Sequence, residues 1–184
     1  MRAFVALEVS DEKVLDSIVS FQRELAATGA NLKLVERQNL HFTLKFLGEI
    51  PESMAEEADR RLRGLRLTGG TVSVTGVGAF PNAFRPNVVW VGVPRDDEAK
   101  VRPIAEGVIK ALEGIGERER RPFEVHLTLA RVRSGRNTGT LTSLIKANSE
   151  RAFGVLRLTT VALKSSQLTP SGPVYSDLGV YNLS

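Results

Sequence analysis

Residues 39–48 read NLHFTLKFLG, and residues 123–132 read FEVHLTLARV. Each stretch contains one copy of the pattern His-x-Thr-Leu, and the only two histidines of the chain, His41 and His126, begin the two copies. Histidine is the side chain that most readily gives or takes a proton near neutral pH. A matched pair of histidine motifs therefore predicts a site of proton transfer.

Both stretches have the apolar alternation of β-strands, in which successive side chains point to opposite faces. The apolar face is predicted to comprise Leu40, Phe42, Leu44 and Phe46 in the first strand and Phe123, Val125, Leu127 and Leu129 in the second. The opposite face then carries His41, Thr43 and Lys45, and His126 and Thr128. Strict alternation places Arg131 on the core side, unless a strand end or a β-bulge turns it.

The remaining sequence alternates between strand and helix patterns. Apolar alternation predicts strands at 2–9, 40–47, 71–75, 87–93, 123–132, 155–163 and 174–181, with a short extended piece near 32–36. Amphipathic spacing predicts helices at about 11–28, 52–66, 97–113 and 139–149, the first opened by Ser10-Asp11-Glu12. This order of elements predicts a chain of mixed α and β structure.

The two histidines are 85 residues apart (126 minus 41), and the same offset relates other elements. It carries the strand at Ala3–Ala6 onto Val88–Val91 and the strand at Thr71–Val74 onto Leu156–Thr159. We therefore interpret residues 1–184 as one domain of two lobes, with an approximate internal repeat of 1–85 and 86–184.

Composition indicates a globular chain with a localised basic excess. The sequence is 42% hydrophobic and 25% charged, has no cysteine, and carries a net charge of +4. Six arginines against two glutamates lie between Arg118 and Arg136, so this window around His126 accounts for the whole excess. Such a cluster would attract a polyanion such as RNA. We expect no secretory signal and no membrane span, and a cytoplasmic location by default.

Two histidines and two hydroxyls on polar strand faces suit displacement at a phosphodiester. One histidine would activate water, the other would protonate the leaving oxygen, and Thr43, Thr128, Lys45 and an arginine would bind the phosphate oxygens. No metal or other cofactor is needed for this chemistry. Two histidines in separate halves, without cysteine or a carboxylate cluster, also provide too few ligands for a metal-dependent hydrolase.

The paired motifs resemble those of the two-histidine phosphoesterase superfamily, and specifically of its RNA 2′,3′-cyclic phosphodiesterases, the 2′-5′ RNA ligase family. The resemblance covers nearly the whole chain. Its other segments are RAFVA at 2–6, GVGAFP at 76–81, RPF at 121–123 with the AR that follows the second motif, and SQL at 166–168 with Gly172 and Tyr175.

The resemblance implies a bilobal α+β fold: two pseudo-symmetric lobes, each with an antiparallel sheet and helices on its outer face, around a central V-shaped cleft. It implies hydrolysis of RNA 2′,3′-cyclic phosphate ends, tRNA fragments among the candidates, to 2′-phosphomonoesters, with weak reversible 2′-5′ ligation. His41 would be the proton donor, His126 the proton acceptor, and Arg131 a phosphate ligand. The residues alone do not order the two histidine roles.

Two points stay open at the level of sequence. A non-catalytic module that only binds RNA ends would share the basic window, although it would not require two symmetric motifs. In the loop from Phe80 to Pro86, Phe84 could stack on a base and Arg85 could hold a phosphate, but an ordinary turn bounded by prolines is the favoured interpretation of both. We expect a monomer, because one chain supplies both halves of the site.

Overall fold

The computed structural model describes residues 1–184 and contains ten β-strands and four α-helices. The first half of the chain forms β1 (Arg2–Glu8), α1 (Glu12–Ala27), β2 (Leu32–Leu34), β3 (His41–Glu49), α2 (Glu52–Arg63), β4 (Gly70–Thr75) and β5 (Val77–Phe80). The second half forms β6 (Val88–Val91), α3 (Arg95–Ala111), β7 (Leu127–Val132), α4 (Thr138–Ala147), β8 (Ala152–Leu158), β9 (Thr160–Thr169) and β10 (Gly172–Asn182).

Helix α1 begins and packs as its sequence predicts. The Asp11 carboxylate accepts the backbone N–H of Val14 at 2.9 Å, which caps the start of α1. Buried side chains recur along α1 at the spacing of one helix face, from Val14 through Ile18 and Phe21 to Leu25. They join a single core of 41 buried residues that both halves of the chain share.

Eight strands form one antiparallel sheet in the order β10-β9-β1-β3-β7-β6-β5, with β2 also paired to β7. The two motif strands, β3 and β7, lie side by side at its centre and pair only at Phe42 and Leu127. This narrow junction divides the sheet into a first lobe (β1, β3, β9 and β10) and a second lobe (β2, β5, β6 and β7). The α+β, two-lobed, antiparallel architecture expected above is confirmed.

The lobes do not coincide with the two halves of the chain. The C-terminal hairpin β9–β10 belongs to the first lobe through the pairing of β9 with β1, and β2 belongs to the second lobe through β7. The helices cross over as well: α1 packs against β7 and β8, and α3 packs against β3 and β4. A separate two-stranded sheet pairs β4 with β8. Each lobe is therefore assembled from both halves.

The prediction of one continuous strand at 155–163 is wrong. Its two ends belong to different sheets, because β8 pairs with β4 whereas β9 pairs with β1 and β10, and the strand is interrupted at Thr159. The apolar alternation continues through this interruption, so the pattern could not reveal it. The strand predicted at 123–132 begins only at Leu127, and β5 is absent from the predicted strands.

Candidate active site

The two motifs open onto one cavity between the lobes, with a volume of about 560 Å³. Its wall includes His41, Thr43, His126, Thr128 and Arg131. The structure therefore brings together every residue predicted for the site except Lys45. Strand alternation correctly predicted that His41, Thr43, His126 and Thr128 face the cavity, because each lies next to a buried motif residue that points the other way.

A β-bulge lies at the leucine that ends each motif and changes the direction of the side chains that follow. In β3, Thr43 lies opposite Ala6 while Lys45 lies opposite Val5, so Leu44 is an extra, unpaired residue. In β7, Thr128 lies opposite Trp90 while Ala130 lies opposite Val89, so Leu129 is extra in the same way. A bulge inserts one residue and thereby reverses the faces of the residues beyond it.

The first bulge contradicts the predicted orientation of Lys45. The side chain is 4% exposed and points away from the cavity, where its Nζ donates to the Glu117 carbonyl and to the Glu119 carboxylate, both at 2.9 Å. The neighbouring Phe46, predicted as core, is instead 53% exposed and lines the cavity. Lys45 thus anchors the loop that leads to the second motif, and we do not retain it as a phosphate ligand.

The second bulge places Arg131 on the cavity wall, although strict alternation would bury it. Arg131 and Phe46 are 85 residues apart, so the two bulges present equivalent positions of the two motif strands. One position carries a guanidinium and the other a phenyl ring. The two motif strands therefore share a backbone arrangement at the cavity, whereas their side chains at these equivalent positions differ in chemistry.

Both histidine rings are held through Nδ1 by a backbone carbonyl two residues earlier. The distance is 2.7 Å from His41 to the Asn39 oxygen and 2.8 Å from His126 to the Glu124 oxygen. A carbonyl oxygen only accepts, so Nδ1 carries the proton in each neutral ring and Nε2 bears the free lone pair. In both neutral rings Nε2 is therefore the nitrogen that can take up a proton.

The surroundings of the two rings differ. His41 stacks on Phe4 at a centroid distance of 5.0 Å, meets the edge of Tyr175 at 5.8 Å, and its Nε2 accepts the Thr43 hydroxyl at 2.8 Å. Burial lowers the pKa of His41 to about 4. His41 is therefore neutral at neutral pH in the free protein. His126 meets the edge of Phe80 at 4.9 Å, and its Nε2 has no hydrogen-bond partner within the protein.

Cations dominate the charged groups of the cavity wall, which are Arg2, Lys33, Glu36, Arg131 and Arg133. Only two of the six arginines in the basic window contribute, namely Arg131 and Arg133. Arg2 and Lys33 come from strands far away in sequence, and Lys33 reaches the wall because it pairs with Arg131 across β2 and β7. Sequence reasoning missed them, since long-range strand pairing leaves no local pattern.

The loop residues considered from the sequence lie elsewhere. Neither Phe84 nor Arg85 lines the cavity, and the Phe84 ring is covered by the Lys146 ammonium at 3.6 Å.

No group of three or more His, Cys, Asp or Glu side chains is arranged to hold a metal ion. No helix is long and apolar enough to cross a membrane.

Comparison with known proteins gives one consistent family. The sequence matches the family described as LigT like Phosphoesterase twice, over residues 8–90 and 91–175. It is 36% identical over 181 residues to an RNA 2′,3′-cyclic phosphodiesterase of Archaeoglobus fulgidus, covering 98% of this chain and 99% of the relative. It is 35% identical to the protein of the same name from Methanothermobacter thermautotrophicus, covering 100% and 99%.

Solved structures share the whole fold. A protein of Thermus thermophilus superimposes with a TM-score of 0.78 at 30% identity, covering 100% of this chain and 98% of that one. Escherichia coli LigT, solved in complex with 3′-AMP, superimposes with a TM-score of 0.80 at 21% identity and the same coverage, and so supports the fold alone. With its two motif histidines on one cavity and its sequence matched along nearly its entire length, the chain belongs to the LigT-like phosphoesterase family.

Proposed function

We propose that this protein hydrolyses RNA 2′,3′-cyclic phosphodiester ends to 2′-phosphomonoesters, with His41 as the proton donor, His126 as the proton acceptor and no metal ion. The observation that carries the proposal is that both histidines line one cavity with Nδ1 held by a backbone carbonyl, so that Nε2 of each ring faces only a hydroxyl or no protein partner. The names of the relatives from Archaeoglobus and Methanothermobacter support RNA 2′,3′-cyclic ends as the substrate.

The reaction balances with these two groups alone. His126 Nε2 takes a proton from water as the water oxygen bonds to phosphorus, and the bond from phosphorus to the ribose 3′ oxygen breaks. His41 Nε2 gives its proton to that oxygen, which leaves a 2′-phosphomonoester and a free 3′ hydroxyl. When the 5′ hydroxyl of another RNA replaces water as the nucleophile, its oxygen bonds to phosphorus, the bond from phosphorus to the ribose 3′ oxygen breaks, and a 2′-5′ phosphodiester forms. The same acid and base serve the reverse reaction, so weak, reversible 2′-5′ ligation belongs to this proposal.

The phosphate oxygens need donors in several directions. The Thr43 and Thr128 hydroxyls come from opposite lobes, and the Arg131 guanidinium adds a charged donor suited to two phosphate oxygens. These groups stabilise the charge that develops on the phosphoryl oxygens during displacement. The proposed phosphate-binding set is therefore Thr43, Thr128 and Arg131.

Protonation of His41 depends on the substrate. Burial lowers its pKa to about 4 in the free protein, whereas the negative charge of a bound phosphodiester favours the imidazolium and raises this pKa in the complex. Hydrogen bonding to the phosphate would also replace the bond from the Thr43 hydroxyl to Nε2. Substrate binding thus favours the protonated form of His41 that the proposed mechanism requires.

The decisive experiment measures hydrolysis of a nucleoside 2′,3′-cyclic phosphate and of a cyclic-ended tRNA half in EDTA. We expect the wild type to form the 2′-phosphate, and His41→Ala and His126→Ala each to lose activity by at least about a hundredfold. Survival of activity in both variants would rule out the two-histidine mechanism, and loss in EDTA would rule out metal independence. Tight binding of RNA ends without turnover would favour the non-catalytic alternative.

The quaternary state is a further part of the proposal. All proposed catalytic and phosphate-binding residues come from a single chain, so we expect a monomer with full activity. We would measure activity per chain and the mass in sedimentation over the same range of protein concentrations. If both rise together, the active form is an oligomer and this expectation is contradicted.

A further inference from the structure

The loop at residues 81–87 starts and ends at the wall of the cavity. It connects β5 to β6, and the residues on either side of it, Phe80 and Val88, both line the cavity. The Asn87 N–H donates to the Phe80 carbonyl at 2.8 Å and so closes the base of the loop. The tip of the loop does not line the cavity and therefore lies beyond its rim, on the second lobe.

The tip of this loop is held by side-chain hydrogen bonds. The Asn82 side-chain oxygen accepts the backbone N–H groups of Phe84 and Arg85, both at 3.0 Å. The Thr142 hydroxyl of α4 donates to the Ala83 carbonyl at 2.6 Å. These bonds fix the backbone at Phe84 before any ligand binds, which lowers the ordering cost of binding there.

The Phe84 ring has one covered face and one free face. The Lys146 ammonium lies over one face, 3.6 Å from the ring centroid, as in a cation–π contact. Phe84 is nevertheless 68% exposed, so the other face is open to solvent. An aromatic face that is fixed, exposed and flanked by a cation is a suitable platform for a nucleobase.

Carboxylates are absent from the segments around this loop. No Asp or Glu occurs at 76–95 or at 125–149, which supply β5, β6, β7, α4 and the loop itself. Both Arg85 and Lys146 are exposed, and neither takes part in an ion pair of the structure. These two cations are therefore free to bind the phosphates of a polyanion.

The positive charge continues from the cavity wall to the loop. Val88 pairs with Arg131 across β6 and β7, and the Asn87 carbonyl accepts the Val132 N–H at 2.9 Å. Because the two strands are antiparallel, the loop lies beside the end of β7 that leads to Arg133, a residue of the cavity wall. An RNA strand with its end in the cavity can thus follow the cations of the second lobe outward to the loop.

We propose that the loop and α4 bind the RNA chain that precedes the cyclic end, with one nucleobase stacked on the free face of Phe84 and phosphates held by Arg85 and Lys146. The inference rests on the proposed function, in which the cyclic phosphate itself occupies the cavity. It makes an RNA strand of several nucleotides a better substrate than a nucleoside cyclic phosphate. Every nucleobase has a π face, so this site selects the length of the RNA rather than its sequence.

The test compares uridine 2′,3′-cyclic phosphate with oligoribonucleotides of increasing length that carry the same cyclic end. In the wild type, kcat/KM should rise with length until the strand reaches the loop, and then stay constant. Phe84→Ala should lower kcat/KM about 5- to 100-fold for the longest strand, mainly through KM, and leave the mononucleotide unchanged. Arg85→Ala should cause a smaller loss that is also confined to the long strands.

Two further substitutions at the same position separate stacking from bulk. Phe84→Trp keeps a π face and should retain the dependence on length, whereas Phe84→Leu keeps only an apolar side chain and should behave like Phe84→Ala. Arg157→Ala is the matched control for charge, because Arg157 is an exposed arginine of β8 outside the cavity. It should leave all rates unchanged.

Equal losses for the mononucleotide and the longest strand in Phe84→Ala would overturn this role, since the loop would then act through the structure of the cavity. No loss for the longest strand in Phe84→Ala would overturn it as well. A wild type that hydrolyses neither the mononucleotide nor any oligoribonucleotide would instead refute the proposed function, so the two failures are distinguishable.

Discussion

His41 is a histidine whose protonation is set by burial. The ring lies between Phe4 and Tyr175, and desolvation lowers its pKa to about 4 from an ordinary value of 6.5. A mechanism with one protonated and one neutral histidine loses activity when both become protonated, so kcat/KM rises with pH through the lower pKa of the free enzyme. We expect this acidic limb near pH 4.

The measurement is kcat/KM for a nucleoside 2′,3′-cyclic phosphate across the acidic range, with circular dichroism to confirm that the protein stays folded. Tyr175→Ser exposes the His41 ring and should move the limb upward, towards the ordinary histidine value. A limb near 6.5 in the wild type would show that burial does not control the protonation of this site.

Lys45 has a structural role that its position beside the first motif conceals. Its buried ammonium binds Glu119 and the Glu117 carbonyl, so Lys45→Ala removes both bonds and leaves a void. We expect the free energy of unfolding in urea to fall by about 3 kcal/mol, and KM of the folded variant to change little. Lys110→Ala, at an exposed helix position, is the control. An unchanged stability with a strongly raised KM would return Lys45 to the phosphate-binding set.

At the scale of elements, the two bulges determine which side chains reach the cavity. The second bulge brings Arg131 to the cavity wall, where we propose that it binds the phosphate. Arg131→Ala should lower kcat/KM about a hundredfold, and Arg131→Lys should recover only part of this loss, because lysine keeps the charge but not the paired donors.

Steady-state kinetics on a cyclic-ended oligoribonucleotide measures this effect. Arg120→Ala is the matched control: it removes an exposed arginine of the same basic window that does not line the cavity. A similar loss in both variants would mean that the window acts through its general charge rather than through Arg131.

The same bulges set the limit of prediction from strand periodicity. The alternation placed His41, Thr43, His126 and Thr128 on the cavity, because all four precede the inserted residue. It failed for Lys45 and Phe46, the two residues after the inserted Leu44, and Arg131 reached the wall only through the second insertion. A bulge shifts the register of the strand by one residue. It has no fixed sequence signature, because the inserted residues Leu44 and Leu129 are ordinary strand residues.

At the scale of the molecule, the cavity concentrates positive charge from both halves of the chain. Arg2, Lys33, Arg131 and Arg133 face one carboxylate, Glu36. For an oligoribonucleotide that contacts all four cations, log KM should rise with log salt at a slope of about 2 to 3, because bound counterions are released from single-stranded RNA.

Titration of salt in steady-state assays tests this slope. Arg133→Ala should reduce it by about 0.7, while Arg157→Ala, an exposed arginine of β8 outside the cavity, should leave it unchanged. A slope that is the same for the oligoribonucleotide and for a nucleoside 2′,3′-cyclic phosphate would show that the RNA chain does not contact these cations.

The sequence by itself determined the two histidine strands, the order of most helices and strands, and the faces of the motif residues, since these depend on local periodicity. The internal repeat stays a prediction, although α1 and α3 pack on equivalent strands of opposite halves. Only the tertiary structure decided that Phe46 and not Lys45 faces the cavity, and that Lys33 and Arg2 join it. These features depend on bulges and on strand pairing between distant residues, and neither leaves a local pattern in the chain.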